Sequence, residues 1–194
     1  MVTDEQKARG TAIYWENQAR FANSPPRFIP PGAKRETIRD DERLLLGQVS
    51  EETNADYLAI RMRHVGFLHV RDIECGSPDF RIADTWVELK TNVRSVRPEP
   101  HYHACYPAGY EKHTKAAWLL FASYELRRVE NDYTWLVGGM ERDEFFKVAR
   151  FVPRGQIINE RGGQAPFIAD NDVWALEIRE LVDAKKTLRT LEGF

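Results

Sequence analysis

Apolar residues recur along the chain in two rhythms, and the change from one to the other divides it into elements. From Glu36 to His64 the spacing predicts a helical region. With Glu51 set at zero on a helical wheel, Ala55, Leu58, Met62 and Val65 fall within about 40° of it. Glu52, Asp56 and Arg63 gather on a polar flank. Glu51 therefore stands on the apolar stripe, where a carboxylate is costly without a cation partner. That cost is relieved if Ser50 caps a helix beginning there and Glu51 lies in its first turn. After Gly66 the period shortens. Phe67 to Glu74, Pro78 to Ala83 and Trp86 to Thr91 read as strands, the last two joined by an Ala83-Asp84-Thr85 turn. Trp118 to Tyr124 is a continuous apolar run, suited to a strand covered on both faces, with Tyr133 to Val137 as its hairpin partner. Glu141 to Phe151 predicts a short helix, Val173 to Ile178 a strand, and Glu180 to Leu191 a last helix. The domain is of α/β or α+β type.

The beginning of the chain differs. Thr3 to Ala22 fits a helix with Thr3 as N-cap, and two Pro-Pro pairs, Pro25-Pro26 and Pro30-Pro31, then break it around Phe28 and Ile29. Residues 1–35 read as an arm or appendage and 36–194 as the main domain. The arm is either an element for packing or dimerisation, or one that reaches nucleic acid. The 194 residues suffice for one core without staples. The longest apolar stretch, Ala116 to Ala122, is far short of the ~20 residues a membrane span needs. No basic start leads into an apolar run, so a cytoplasmic protein with no membrane partner is expected. A net charge of −2 argues against coating nucleic acid non-specifically, though not against a local basic groove. Two cysteines, Cys75 and Cys105, form no disulfide framework.

Candidate chemistry concentrates between Pro78 and Lys90. If the hairpin closes through Asp84-Thr85, Asp79 faces Lys90, Phe80 faces Leu89, Arg81 faces Glu88, Ile82 faces Val87 and Ala83 faces Trp86. Alternation then puts Phe80, Ile82, Val87 and Leu89 on one face, and Asp79, Arg81, Glu88 and Lys90 on the other. Two carboxylates on rigid strands suit a hard cation such as Mg²⁺, with the Leu89 carbonyl as a third ligand. The cation would lower the pKa of a bound water and neutralise a scissile phosphate. Lys90 could orient that water or stabilise the charge that builds on phosphorus, and Arg81 could bind phosphate. An acidic-x-Lys triplet is weak by itself, since this composition yields about one by chance. Of the three in the chain, only Glu88-Leu89-Lys90 has an apolar strand context and follows the sole Pro-Asp, Pro78-Asp79. The bland reading is a solvated hairpin face with an Asp79–Lys90 ion pair.

From about Ser50 to Tyr124 the chain resembles the PD-(D/E)XK nuclease superfamily: a helix with an acidic residue, a strand, the Pro78-Asp79 strand, and the Glu88-Leu89-Lys90 strand. It continues with a short helical segment after Gly109 and the apolar strand from Trp118. The resemblance implies a restriction-endonuclease-like αβββαβ core with a mixed central sheet flanked by helices. It also implies metal-dependent cleavage of nucleic acid, usually DNA, with Mg²⁺ or Mn²⁺; an endonuclease is expected, and a nicking or exonucleolytic enzyme fits the same residues. Asp79 and Glu88 would be metal ligands, Lys90 the catalytic lysine, and Glu51 the helix carboxylate, with Glu52 its neighbouring candidate. The pattern departs from the family after Lys90, where Pro98, Pro100 and Pro107 obscure the usual helix.

That stretch holds His101, His103 and Cys105, with His113 further on. It reads as a loop packed on the domain edge, as a basic aromatic loop touching nucleic acid, or as a zinc site of unfamiliar spacing. In the nucleic-acid reading His103, Arg94, Arg97, Lys112 and Lys115 join Arg81 as contacts. Most of the tryptophans read as core, with Trp86 on the site face. No phosphate-binding glycine loop and no nucleophile elbow is present. Beside the nuclease stand two other readings: a nucleic-acid-binding protein of this fold without cleavage, and a metal-stabilised interaction protein built on the His-Cys loop. Restriction, recombination, repair and phage DNA processing all suit the nuclease. A homodimer would let two sites cut two strands.

Overall fold

The computed structural model describes residues 1–21, 37–71, 77–127, 131–159, 167–169 and 171–193. Among these the chain is a mixed α/β protein with four α-helices and a mixed central sheet. In chain order the elements are α1 (Asp4–Phe21), α2 (Thr37–Arg61), β1 (Phe67–His69), β2 (Phe80–Ile82), β3 (Thr85–Arg94), β4 (His103–Pro107), β5 (Trp118–Glu125) and β6 (Tyr133–Glu141). Then come α3 (Arg142–Val148), β7 (Arg150–Val152), β8 (Ile157–Asn159), β9 (Phe167–Ile168), β10 (Val173–Glu177), β11 (Val182–Asp183) and α4 (Ala184–Leu191).

Six strands form the central sheet in the order β1-β2-β3-β5-β6-β11, antiparallel throughout except for the parallel β3–β5 pair. Helices α2 and α4 cover one face, where Leu58, Met62, Leu188 and Leu191 meet Phe80, Ile82, Val87, Leu89, Leu120 and Ala122. The other face is covered by α3 and a second, antiparallel sheet, β4-β10-β7. There Ala104, Tyr106, Phe145 and Leu176 pack on Leu119 and Phe121. The run Trp118 to Tyr124 is apolar without a break because β5 is the strand buried from both sides.

Several elements differ from the sequence expectation. Helix α2 is continuous, so Ser50 is no N-cap. It lies buried in mid-helix, its hydroxyl 2.9 Å from Thr134 Oγ1 and 3.0 Å from Thr91 Oγ1. Local periodicity overrode a residue that favours caps because the hydroxyl finds tertiary partners. The expected loop at His101–Tyr106 is largely strand β4. The prolines that flank it, Pro98, Pro100 and Pro107, disfavour a helix, but alternating residues can still join an antiparallel partner, here β10. No helix forms between Gly109 and β5; Tyr110 to Thr114 makes only a turn, with His113 N and Thr114 N donating to Tyr110 O. The helix expected over Glu141–Phe151 ends at Val148 and gives way to β7, and the last helix starts at Ala184, capped by the Asp183 carboxylate. Strand β1 is shorter than Phe67–Glu74, and residues 72–76 lie outside the described residues.

Residues 1–21 pack on the main domain. Thr3 caps α1 in a reciprocal box with Gln6: Gln6 N donates to Thr3 Oγ1, and Thr3 N donates to Gln6 Oε1. Gly10 lets α1 approach α2 closely, since a Cβ there would stand 2.6 Å from Val49 Cα. Val2 N donates to Asp132 O at 2.8 Å, and Lys7 Nζ pairs with Asp132 Oδ2 at 2.9 Å. Trp15, expected in the core, is 63% exposed on α1. The Pro-Pro segment, with Phe28 and Ile29, lies outside the described residues.

Two predictions follow from this packing. Gly10→Ala raises helix propensity by about 1 kcal/mol, yet the clash with the α2 backbone costs more, about 1–3 kcal/mol. Urea denaturation will show net destabilisation. Burial would raise the Asp132 carboxyl, but the Arg127 N–H, Lys7 and the Tyr124 hydroxyl outweigh it and hold it below the ordinary range. A depressed folded pKa contributes stability above the unfolded value and loses it as pH falls through the folded one. Asp132→Asn will therefore destabilise by about 1–3 kcal/mol at pH 7, with a deficit that shrinks below about pH 4.

Candidate active site

Strand β2 pairs with β3 over three rungs: Phe80 with Val87, Arg81 with Trp86, and Ile82 with Thr85. The hairpin closes through Ala83-Asp84, one residue earlier than expected, and every pairing shifts by two. Ala83 takes a positive φ of 51° at the tip, and its N–H is tied to Gly66 O at 2.8 Å. A shift of two preserves the sorting of faces: Phe80, Ile82, Val87 and Leu89 are buried in the helix-covered core, as expected. Arg81, however, faces Trp86 and not Glu88, with its guanidinium 5.7 Å from the indole and 2.7 Å from Asp84. Trp86 is 39% exposed, on the site side of the strand.

Beyond the last rung, β2 leaves β3 and the Asp79 carboxylate fills the gap. Asp79 Oδ2 accepts a hydrogen bond from Leu89 N at 2.6 Å. A strand residue turns its N–H and C=O to the same edge, so the Leu89 carbonyl leaves β3 on the Asp79 side. Glu88 and Lys90 point to the opposite face from Val87 and Leu89, under the second sheet. There Lys90 Nζ pairs with Glu88 Oε1 and stands 5.4 Å from the centre of the Tyr106 ring. Glu88 Oε2 accepts from the Thr114 hydroxyl and from Tyr106 OH, the latter at 3.1 Å.

Helix α2 contributes Glu51, whose Oε1 meets His69 Nε2 of β1 at 2.9 Å. Its neighbour Glu52, which the wheel assigned to a polar flank, is 1% exposed and bound by Arg71 at 3.0 Å and Arg9 at 3.4 Å. Of that flank only Glu52 is buried, between Arg9 of α1 and Arg71, while Asp56 and Arg63 stay exposed. Glu52 thus has its own cations, while Glu51 adds its charge to the Asp79 cluster.

The electrostatics follow from this gathering. Burial and the charge of Glu51 push the Asp79 carboxyl well above the usual range, against the pull of Lys90 and the Leu89 N–H. Burial alone would lower Lys90, but Asp79, Glu88 and Glu51 raise it and keep it cationic. The Tyr106 hydroxyl is driven up by burial and by Glu88, and stays a donor. Three carboxylates thus share one lysine in a poorly hydrated place, an excess of negative charge that suits a divalent cation. Asp79 and Glu88 would supply two carboxylate oxygens and Leu89 a carbonyl, a set suited to Mg²⁺, which keeps several waters. Among the described residues, no three His, Cys, Asp or Glu side chains form a metal-holding group by themselves.

His101, His103, Cys105 and His113 are not such a group either. His103 and Cys105 alternate on β4 facing away from the central sheet; burial lowers the imidazole and pushes the thiol up to about 11. Cys75 lies outside the described residues. Of the expected nucleic-acid contacts, Arg94 is turned inward. It donates to His103 O and, at 3.1 Å, to Ser123 Oγ, and its partner His103 is buried. Arg97 lies 4.5 Å from the Trp135 ring centre. Arg81, Lys112 and Lys115 are exposed.

Sequence reading missed His69, Tyr106 and Thr114. The alternation of His103 to Pro107 was the one signal for a strand that could carry Tyr106; nothing local marks Thr114. Fold and site together define a mixed α/β protein with a partly buried acidic cluster built around one lysine. Compared with known proteins, the chain matches no family model, no curated protein and no solved structure.

The raised Asp79 carboxyl has a consequence for stability. Its charged form is disfavoured in the folded state, so stability falls as pH rises from the unfolded value towards the folded one. Asp79→Asn keeps an acceptor for Leu89 N–H and removes the charge. In EDTA at pH 8 it will stabilise the protein by about 0.5–2 kcal/mol in urea denaturation.

Proposed function

We propose that this chain is a divalent-metal-dependent nuclease of the PD-(D/E)XK type that hydrolyses phosphodiester bonds in DNA, with Mg²⁺ or Mn²⁺ as cofactor. The observation that carries the reading is the convergence of Glu51, Asp79 and Glu88 on Lys90 where β2 parts from β3. The order α2, β1, β2, β3 and β5, with β3 and β5 parallel, supports a restriction-endonuclease-like core in which β4 replaces the usual helix.

In this reading each residue has a task. Asp79, Glu88 and the Leu89 carbonyl hold the cation, and the Leu89 N–H keeps the Asp79 carboxylate in place. When bound, Mg²⁺ would supply charge neutralisation at the phosphate and a water of lowered pKa. Lys90 stays protonated among its carboxylates and directs its ammonium at the phosphate oxygens. Glu51, held by His69, tunes the charge around Asp79. Arg81 beside Trp86, with Lys112 and Lys115, offers exposed cations to the DNA backbone.

The test is cleavage of supercoiled, linear, branched and single-stranded DNA with Mg²⁺, Mn²⁺ or EDTA. Wild type will cut in a metal-dependent way, and Asp79→Ala and Lys90→Ala will each lose roughly 10²-fold or more. Wild type that binds DNA without cutting it, unchanged by either substitution, would make this a binding protein of the same fold.

A further inference from the structure

We infer that Tyr106 and Thr114 set the metal preference of this centre by leaving Glu88 a single oxygen to give, which selects Mg²⁺ or Mn²⁺ over Ca²⁺. The inference rests on the proposed function for one thing, that a cation binds at Asp79 and Glu88.

A carboxylate oxygen accepts along two lone-pair directions. At Glu88 Oε2 both are taken: by the Thr114 hydroxyl, and by Tyr106 OH at 3.1 Å. Tyr106 OH also stands 3.3 Å from Oε1, a longer contact, and Lys90 pairs with Oε1. Thr114 Oγ1 in turn accepts from Ala116 N at 3.2 Å, which leaves its own proton for Glu88. Glu88, Tyr106 and Thr114 are all buried, so water does not compete for these bonds and the carboxylate has no room to turn. They come from β3, β4 and the residues just before β5, three segments locked by the packing of the two sheets.

Glu88 can therefore present only Oε1, as a one-oxygen ligand. Small octahedral cations accept that arrangement, whereas Ca²⁺ takes more ligands and commonly both oxygens of a carboxylate. Tyr106 and Thr114 would reach the cation only through the Glu88 carboxylate to which they donate. They are positioning residues, acting through Glu88.

The experiment is calorimetric titration of the full chain, without DNA, using Mg²⁺ and Ca²⁺ separately. Tyr106→Phe and Thr114→Val each free one direction at Oε2, and Thr114→Ser keeps its hydroxyl. The ratio of Ca²⁺ to Mg²⁺ affinity will rise about tenfold or more in the first two and stay at the wild-type value in Thr114→Ser. Should Thr114→Val fail to fold, Tyr106→Phe decides alone, since it keeps the buried ring. An unchanged ratio, or an equal loss for both cations, overturns the inference while a wild-type response abolished by Asp79→Ala leaves the metal site standing. Wild type that binds neither cation, or binds them as well after Asp79→Ala, overturns inference and metal site together.

Discussion

Parallel strands cannot be joined by a tight turn, and the pairing of β3 with β5 obliges the chain to leave the central sheet and cross back. In this protein the crossing is no helix. Prolines at 98, 100 and 107 disfavour one, and the segment instead lays down β4, which joins β10 and β7 in a second sheet. Much else depends on that detour. It covers the face of β3 that carries Glu88 and Lys90, brings the Tyr106 ring beside the Lys90 ammonium, and delivers Thr114 to Glu88 on the way into β5.

Strand β3 serves two interiors at once. Val87 and Leu89 bury against α2 and α4, while Glu88 and Lys90 stand between the sheets. A polar pair in that position is tolerable because its atoms are bonded: Glu88 to a lysine and two hydroxyls, Lys90 to a carboxylate and an aromatic face. Asp79 is the unbalanced member. Held by one backbone N–H and crowded by Glu51 and Glu88, its charge is stored at the expense of stability, a pattern typical of sites that act on something.

Helix α2 ties the site to the rest of the molecule. Ser50, Asn54, Thr91 and Thr134 share a buried hydrogen-bond network that links α2 to β3 and β6. One residue beyond Ser50, Glu51 turns to His69 and the Asp79 cluster; the next, Glu52, is claimed by Arg9 of α1 and Arg71. The first helix therefore does more than cover α2. By neutralising Glu52 it separates two adjacent carboxylates into a structural one and one that faces the site.

What the chain determined by itself was what local period can encode. The α2 stripe of Ala55, Leu58 and Met62, the alternation of Phe80, Ile82, Val87 and Leu89, and the unbroken apolar run of β5 each read correctly as elements and faces, because side-chain direction repeats with the backbone. Period could not decide register. A shift of two residues sorts the β2–β3 faces identically, so only the turn at Ala83-Asp84 and its bond to Gly66 chose the pairing. Period set Glu51 on the apolar stripe and Glu52 on a polar flank, yet Glu52 is the more buried of the two, because α1 and the segment after β1 bring arginines to it. The roles of Tyr106 and Thr114 belong wholly to tertiary structure: a buried hydroxyl is defined by what it faces, and both face a glutamate many residues away across a sheet interface.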